Sequence, residues 1–361
     1  MRMNQLKSIA FIILLTSVIG SILYLEGYLT GDRQSNSVSS YEVVDIESWI
    51  NSDPLTMESL RGKVVLVDFW TYSCVNCIRT FPYLNAWYEK YSDQDFVILG
   101  VHSPEFGFEK DVDNVAAAAE MYDIVFPIAI DNNWGTFRAF ENRYWPHKYL
   151  FDANGTMRYD HIGEGGYEEM EMNIQVLLTE IGVDVSDIPI EPEDRFMNSA
   201  IGEGGAEFTR ELFAVRDVIN MGDSLGNGEF RFVDDGSGHV SAGIYLNGLW
   251  LWERGNDHIK YIGGDDAFYQ ISYRGKTISP VMGSVEGKSF QVFVLLDGLT
   301  IPPEFGGSDV MFDEDGRSYV LIDGHPRLYS IVNSHVPFST HELKVEMSQM
   351  GLSLWSVTFG G

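Results

Sequence analysis

The chain has 361 residues, 45% of them hydrophobic and 13% aromatic, enough to pack two cores and so to form two domains. Its 53 Asp and Glu against 24 Lys and Arg give a formal net charge of −29. So acidic a chain repels a phosphate backbone, so no nucleic-acid partner is expected, and it reads as a solvated, self-repelling surface.

The first predicted element is the uncharged apolar run "SIAFIILLTSVIGSILYL" at residues 8–25. Its length suits a helix that crosses a bilayer. Arg2 and Lys7 precede it, which places the short N-terminal side in the cytoplasm and the bulk of the chain outside. No small-x-small cleavage pattern follows, so residues 1–29 are expected to be an uncleaved membrane anchor rather than a removed signal. Residues 30–41 are small and polar and read as a flexible stalk.

"KVVLVDFW" (63–70) is a β-branched run with no turn residue, as a buried central strand should be. "CVNCIRTFPYLNAWYEKY" then repeats Ile78, Phe81, Leu84 and Tyr88 at helical spacing. Cys74 and Cys77 are the chain's two cysteines. Cys74 falls at the start of the predicted helix, where unpaired N–H groups and the helix dipole stabilise a thiolate. Cys77 lies one turn later and can close a disulfide with it. Two other uses compete. A zinc site needs about four ligands, and no second cysteine pair or close histidine pair is present, so no metal or other cofactor is expected. A structural staple over so short a loop is worth only about 2 kcal/mol.

Downstream, "FVILGVH" (96–102) reads as a strand, "DNVAAAAEMY" (113–122) as a helix and "VFPIAI" (125–130) as a strand. "GTFRAF" (135–140) reads as a short helix, and "HKYLFDANGTMRYDHIG" (147–163) as two strands joined at Asn-Gly. "YEEMEMNIQVLLTEI" (167–181) reads as a closing helix. Glu105 is expected to be a solvated loop carboxylate, and His102 and His147 have no assigned chemistry.

"VVLVDFWTYSCVNC", "RYWPHKYLFDANG" and this order of elements resemble the TlpA-like branch of the thioredoxin superfamily, in wording closest to the thioredoxin part of DipZ-type proteins. The likeness spans residues 42–182. It implies a membrane-anchored, extracytoplasmic thiol–disulfide oxidoreductase. Cys74 would be the attacking thiol and Cys77 the resolving one. Pro146 would be a cis-proline beside the disulfide, with the Trp145 backbone pairing to substrate. Asp68 matches the buried carboxylate of thioredoxins; burial should raise its pKa and suit it to take the Cys77 proton. Trp70 would wall the disulfide, and Tyr72, with Ser73, Val75 and Asn76, would tune access and potential. Thr71 and Cys74 also give the T-x-x-C spacing of peroxiredoxins, but Val67 stands where those have proline.

Residues 183–205, rich in Pro, Gly and acid, read as a linker. Residues 206–361 carry strand-like segments between turn residues, such as "GIYLNGLWLWE", "HIKYIGG", "AFYQISYRGKTISP", "SFQVFVLLDGL" and "GLSLWSVTFG". They predict an all-β sandwich, jelly-roll-like. "MFDEDGRSYVLI" reads as a hairpin rather than a calcium loop. This half resembles the carbohydrate-binding-module-like domain of DipZ-type proteins. The resemblance implies an envelope glycan as partner, with Trp250, Trp252, Tyr261 and Tyr269 as stacking candidates, although aromatics alternating on strands more often build cores. DipZ-type proteins also carry a multi-helix electron-relaying domain. One span here implies a separate membrane electron donor. The competing reading is a glycan-binding envelope protein with an inert thioredoxin-like scaffold.

Overall fold

The computed structural model describes residues 41–195, 208–221, 227–234, 238–240, 242–253, 255–284 and 286–360. The expected anchor and most of the stalk lie outside the described residues. Among those described, no helix is long and apolar enough to cross a membrane.

The first half is an α/β layer structure. Its strands are β1 (Ser48–Ile50), β2 (Val64–Trp70), β3 (Phe96–His102), β4 (Ile128–Ile130), β5 (His147–Phe151) and β6 (Met157–Ile162). The helices are α1 (Val75–Tyr91), α2 (Val112–Met121), α3 (Gly135–Ala139) and α4 (Tyr167–Glu180). The sheet order is β1-β4-β3-β2-β5-β6, with β2, β3 and β4 parallel. Strand β2 is buried at every residue, as its unbroken apolar run requires.

The core face of α1 is rotated from the expected stripe. Cys77, Thr80, Phe81, Leu84, Trp87 and Tyr91 are buried, while Ile78 and Tyr88 are only partly so. Ile78 packs both against this core and against a cluster of the second half of the chain, and the second contact is one the sequence periodicity could not anticipate. The strand expected over 125–130 starts at Ile128, because Pro127 has no N–H to give to a ladder. Residues 183–195, expected as linker, pack on this layer: Val185 is buried, and the Tyr83 hydroxyl donates to the Glu193 carbonyl.

Among the described residues, the second half forms one twelve-stranded antiparallel sheet. Its strands are β7 (Leu212–Phe213), β8 (Gly228–Phe232), β9 (Gly243–Trp252), β10 (Ile259–Gly275), β11 (Thr277–Ser284) and β12 (Phe290–Leu296). They continue with β13 (Leu299–Thr300), β14 (Val310–Phe312), β15 (Ser318–Ile322), β16 (Arg327–Leu328), β17 (Ser339–Met347) and β18 (Leu352–Gly360). The expected two-layer sandwich is realised as a sheet curled around one core. Strand β10 makes the curl: Ile259 and Lys260 pair with β18, and Phe268–Gly275 pair with β17. The "GG" expected to separate two strands lies inside β10. Gly263 and Gly264 adopt φ of 150° and 110°, and a Cβ on Gly264 would meet the Gly248 and Leu249 backbone at 3.2 Å. The glycines therefore bend the strand without ending it.

The aromatic stacking candidates are displaced by this packing. Trp250, Tyr261 and Tyr269 belong to the sheet core, and Trp252 is half-buried against it. The D-x-D-G segment is the expected hairpin: β14 pairs with β15, and Asp313 N–H donates to the Arg317 carbonyl at 3.1 Å.

Candidate active site

Strand β2 delivers the chain to a turn, and the turn delivers Cys74 to the N-cap of α1. Cys74 has extended backbone (φ −76°, ψ 110°), and its Sγ accepts the Cys77 N–H at 3.4 Å. A helix start lacks acceptors for its first N–H groups, and the Cys74 sulfur supplies one. Both cysteines are free thiols; Cys74 is partly exposed and Cys77 is fully buried. Burial pushes the Cys77 thiol up, and the Cys74 sulfur and the Asp68 charge push it further. One sulfur is open to solvent and the other is sealed beneath it. The Cys74 Sγ also points at the Trp145 carbonyl, 3.9 Å away. Trp145–Pro146 is a cis peptide bond, and Pro146 is buried.

Asp68 lies on β2 beneath the pair. It is 0% exposed, and among the described residues neither carboxylate oxygen has a hydrogen-bond partner. Burial raises its pKa to about 7, and nearby Lys148 pulls it down. Lys148 faces Asp68 across the β2–β5 ladder, with Nζ 3.9 Å from Oδ1. Lys148 is itself buried, and that burial lowers its pKa against the pull of Asp68 and the cysteines.

The turn before Cys74 is held by a second buried acid. Glu109 Oε1 accepts the Ser73 hydroxyl at 2.6 Å and the Ser73 N–H at 3.3 Å. Its Oε2 accepts the N–H groups of Glu105 and Phe106 at 2.6 and 2.8 Å. Burial raises the Glu109 pKa, and these bonds oppose it.

Of the predicted site residues, Cys74, Cys77, Asp68, Trp145 and Pro146 converge. Trp70 and Tyr72, expected to face substrate, do not lie open to it. Trp70 is 0% exposed and packs edge-on against Phe81 and His102. It is seated by Gly100, where a Cβ would come 2.9 Å from its Nε1. Tyr72 is 3% exposed and stacks on His102, and its edge lines a cavity of about 300 Å3 with Met121, Tyr122 and Arg327. Strand β2 and its turn are sealed on both faces, so these rings form the floor of the site. Burial keeps His102 neutral, with a pKa of about 3. His147 is bonded to Asn142 and Asp160, and Glu105 is exposed. Among the described residues, no three His, Cys, Asp or Glu side chains are placed to hold a metal ion.

Sequence reasoning missed Lys148 and Glu109. Lys148 had a visible signal, a lone cation inside the apolar run "HKYLF". Glu109 had none, because "FEKD" reads as a solvated loop.

Residues 42–160 match the family described as AhpC/TSA, and residues 224–360 match the family described as thioredoxin like C-terminal domain. The protein DipZ of Mycobacterium tuberculosis is 33% identical over 327 residues, 87% of this chain and 42% of that protein. The chain thus spans less than half the length of that relative. The thiol-disulfide oxidoreductase YkuV of Bacillus subtilis is 33% identical over 140 residues, 38% of this chain and 93% of YkuV. A solution structure of a thioredoxin-like protein in the oxidised form is 32% identical, covering 37% of this chain and 90% of that one with a TM-score of 0.35.

Proposed function

The chain belongs to the thioredoxin-like thiol–disulfide oxidoreductases, and on that premise we propose that it reduces disulfides of protein substrates outside the cytoplasm, using Cys74 and Cys77. The observation that carries this reading is the asymmetry of the pair: a partly exposed sulfur at a helix N-cap, above a buried thiol with an acid beneath it.

The Cys74 thiolate attacks one sulfur of a substrate disulfide. A Cys74–substrate S–S bond forms, the substrate bond breaks, and the first substrate sulfur leaves as a thiolate. Cys77 then gives its proton to the Asp68 carboxylate and attacks the Cys74 Sγ. The Cys74–Cys77 disulfide forms, and the second substrate sulfur leaves and takes up a proton. Two electrons have passed from the dithiol to the substrate. A separate membrane protein, itself a thiol donor, returns the pair to the dithiol. In this reading the Trp145 carbonyl, 3.9 Å from the Cys74 sulfur, accepts a backbone N–H from the bound substrate strand.

The apolar run at 8–25 and the preceding Arg2 and Lys7 support an uncleaved anchor with the redox domain outside. Protease added to intact cells should cut the stalk at residues 30–40; a chain protected until lysis would reverse the topology. The glycan expected of the sheet domain loses support, because its proposed stacking rings build the core. A peroxidase reading is also disfavoured: the buried Thr71 hydroxyl is engaged by His102 Nε2 at 3.3 Å.

The test is the reduction potential of the pair, set by equilibration with glutathione. A reductant should fall near the thioredoxin value of about −270 mV, and a value near the about −120 mV of a strong oxidant would reverse the direction of electron flow.

A further inference from the structure

We propose that the sheet domain is a working part of the redox site, and that Asp257 is the positioning residue through which it holds the turn carrying Cys74. The proposal deepens the redox reading above and rests on it.

Asp257 precedes β10, and its two oxygens face in different directions. Oδ1 accepts the indole N–H of Trp355, on β18, at 2.9 Å. Oδ2 accepts the backbone N–H of Gly107 in the α/β half at 2.6 Å. His258 Nδ1 also lies 3.0 Å from Oδ1. A Cβ on Gly107 would sit 3.3 Å from that Oδ2, so the glycine lets the carboxylate approach.

Gly107 opens the 3-10 turn Gly107–Lys110, which carries Glu109. Glu109 is fully buried and ties its own turn to the turn before α1, through the Glu105 and Phe106 N–H groups on one oxygen and Ser73 on the other. Ser73 is the residue bonded to Cys74. The contacts are therefore continuous from Trp355 and Asp257 through Gly107 and Glu109 to Ser73.

An apolar contact reaches the same helix independently. Phe106, Val281, Leu328 and Trp355 form a buried cluster, and Val75 and Ile78 of α1 pack against it. Val75 stands between the two cysteines. Ile78 bridges the α/β core and the sheet domain. The sheet domain thus touches the C-x-x-C segment by packing and holds the preceding turn by hydrogen bonds.

The consequence is chemical. The Cys74 sulfur keeps its N-cap hydrogen bond only while it stays over the first turn of α1, where the Cys77 N–H reaches it. Releasing Gly107 frees the Glu109 turn, loosens Ser73 and weakens that alignment. Thiolate reactivity should fall although no group at the sulfur has changed.

The test uses the full chain carrying Cys77→Ser, so that iodoacetamide reports on Cys74 alone, and follows alkylation rate against pH. Asp257→Ala should move the profile to higher pH and slow alkylation at neutral pH by about two- to tenfold, the lower part of the range of coupling between contacting groups. Asp257→Asn, which keeps an acceptor for Gly107 but turns its NH2 toward the Trp355 indole N–H, should fall between Asp257→Ala and the unsubstituted residue. Asp257→Ala and Ser73→Ala should combine non-additively. If Asp257→Ala fails to fold, Trp355→Phe, which removes only the indole donor, gives the deciding profile and should shift the same way. A folded Asp257→Ala with an unshifted profile, or additive effects with Ser73→Ala, would overturn the proposal. Alkylation needs no protein substrate, so loss of the redox reading would show separately, as a profile that shifts with Asp257→Ala in a protein whose unsubstituted form reduces no disulfide.

Discussion

With Cys77 replaced by serine, Cys74 should accumulate in mixed disulfides with its substrates, and multiple-turnover reduction should fall to background. The geometry requires this outcome. Cys74 is the partly exposed sulfur, and the N-cap hydrogen bond it accepts comes from the backbone of residue 77, which serine retains. The first exchange therefore survives. The second cannot occur, because the serine hydroxyl does not displace a thiol, and Cys77 is the chain's only other cysteine. The complexes should be visible on non-reducing gels and vanish with dithiothreitol. Cys74→Ser should form none, since the buried residue 77 cannot reach a substrate. Equal trapping by both single variants would mean that the attacking and resolving roles are not divided as proposed.

The parts of this site that follow from local pattern were legible in the sequence. The apolar runs gave β2 and β3, and the aromatic flank of the cysteines gave a helix start at Cys74. The cis bond at Pro146 was reachable only through family resemblance, because nothing in "RYWPH" itself distinguishes cis from trans. What was not legible lies across long separations. Lys148 meets Asp68 through a strand pairing, and a one-residue change of register would turn it to the other face. Asp257 meets Gly107 from the other half of the chain. The second contact of Ile78 was hidden for the same reason: periodicity says which residues are apolar, not that one of them serves two cores. The buried indoles of the sheet domain carry a similar lesson. Alternation on a strand is shared by a core and by a sugar platform, and only the curl of β10 decides between them.

Asp68→Asn should slow the resolving step and stabilise the fold, two effects of opposite sign from one substitution. The carboxyl is fully buried, lacks a hydrogen-bond partner, and has a pKa raised to about 7 by that burial, with Lys148 at 3.9 Å pulling it down. A group so poised is half ionised near neutral pH and can take the Cys77 proton as Cys77 attacks. Asparagine keeps the shape and removes the base. Breakdown of the mixed disulfide should then slow by about 10²-fold or more, the usual worth of a positioned general base. The wild-type rate should rise through pH 7, and the variant should lose that inflection. The stability effect follows from where the proton binds. The folded pKa lies above the ordinary carboxylate value of 3.8, so the native state holds this proton more tightly than the unfolded chain does. Its stabilising contribution is complete below the unfolded pKa and is lost as pH rises through 7. At pH 9 the wild type carries a buried carboxylate and the variant does not. A shift from 3.8 to about 7 corresponds to ~4 kcal/mol. The net gain is smaller by whatever Lys148 loses with its counter-charge, and burial already eases the loss of its proton. Denaturant melts at pH 5 and pH 9 should therefore show an advantage for Asp68→Asn that grows with pH, while stopped-flow resolution shows the rate loss. A packing defect would lower stability at both pH values. A variant less stable than wild type at pH 9, or one that resolves at the wild-type rate, would remove Asp68 from the proton path.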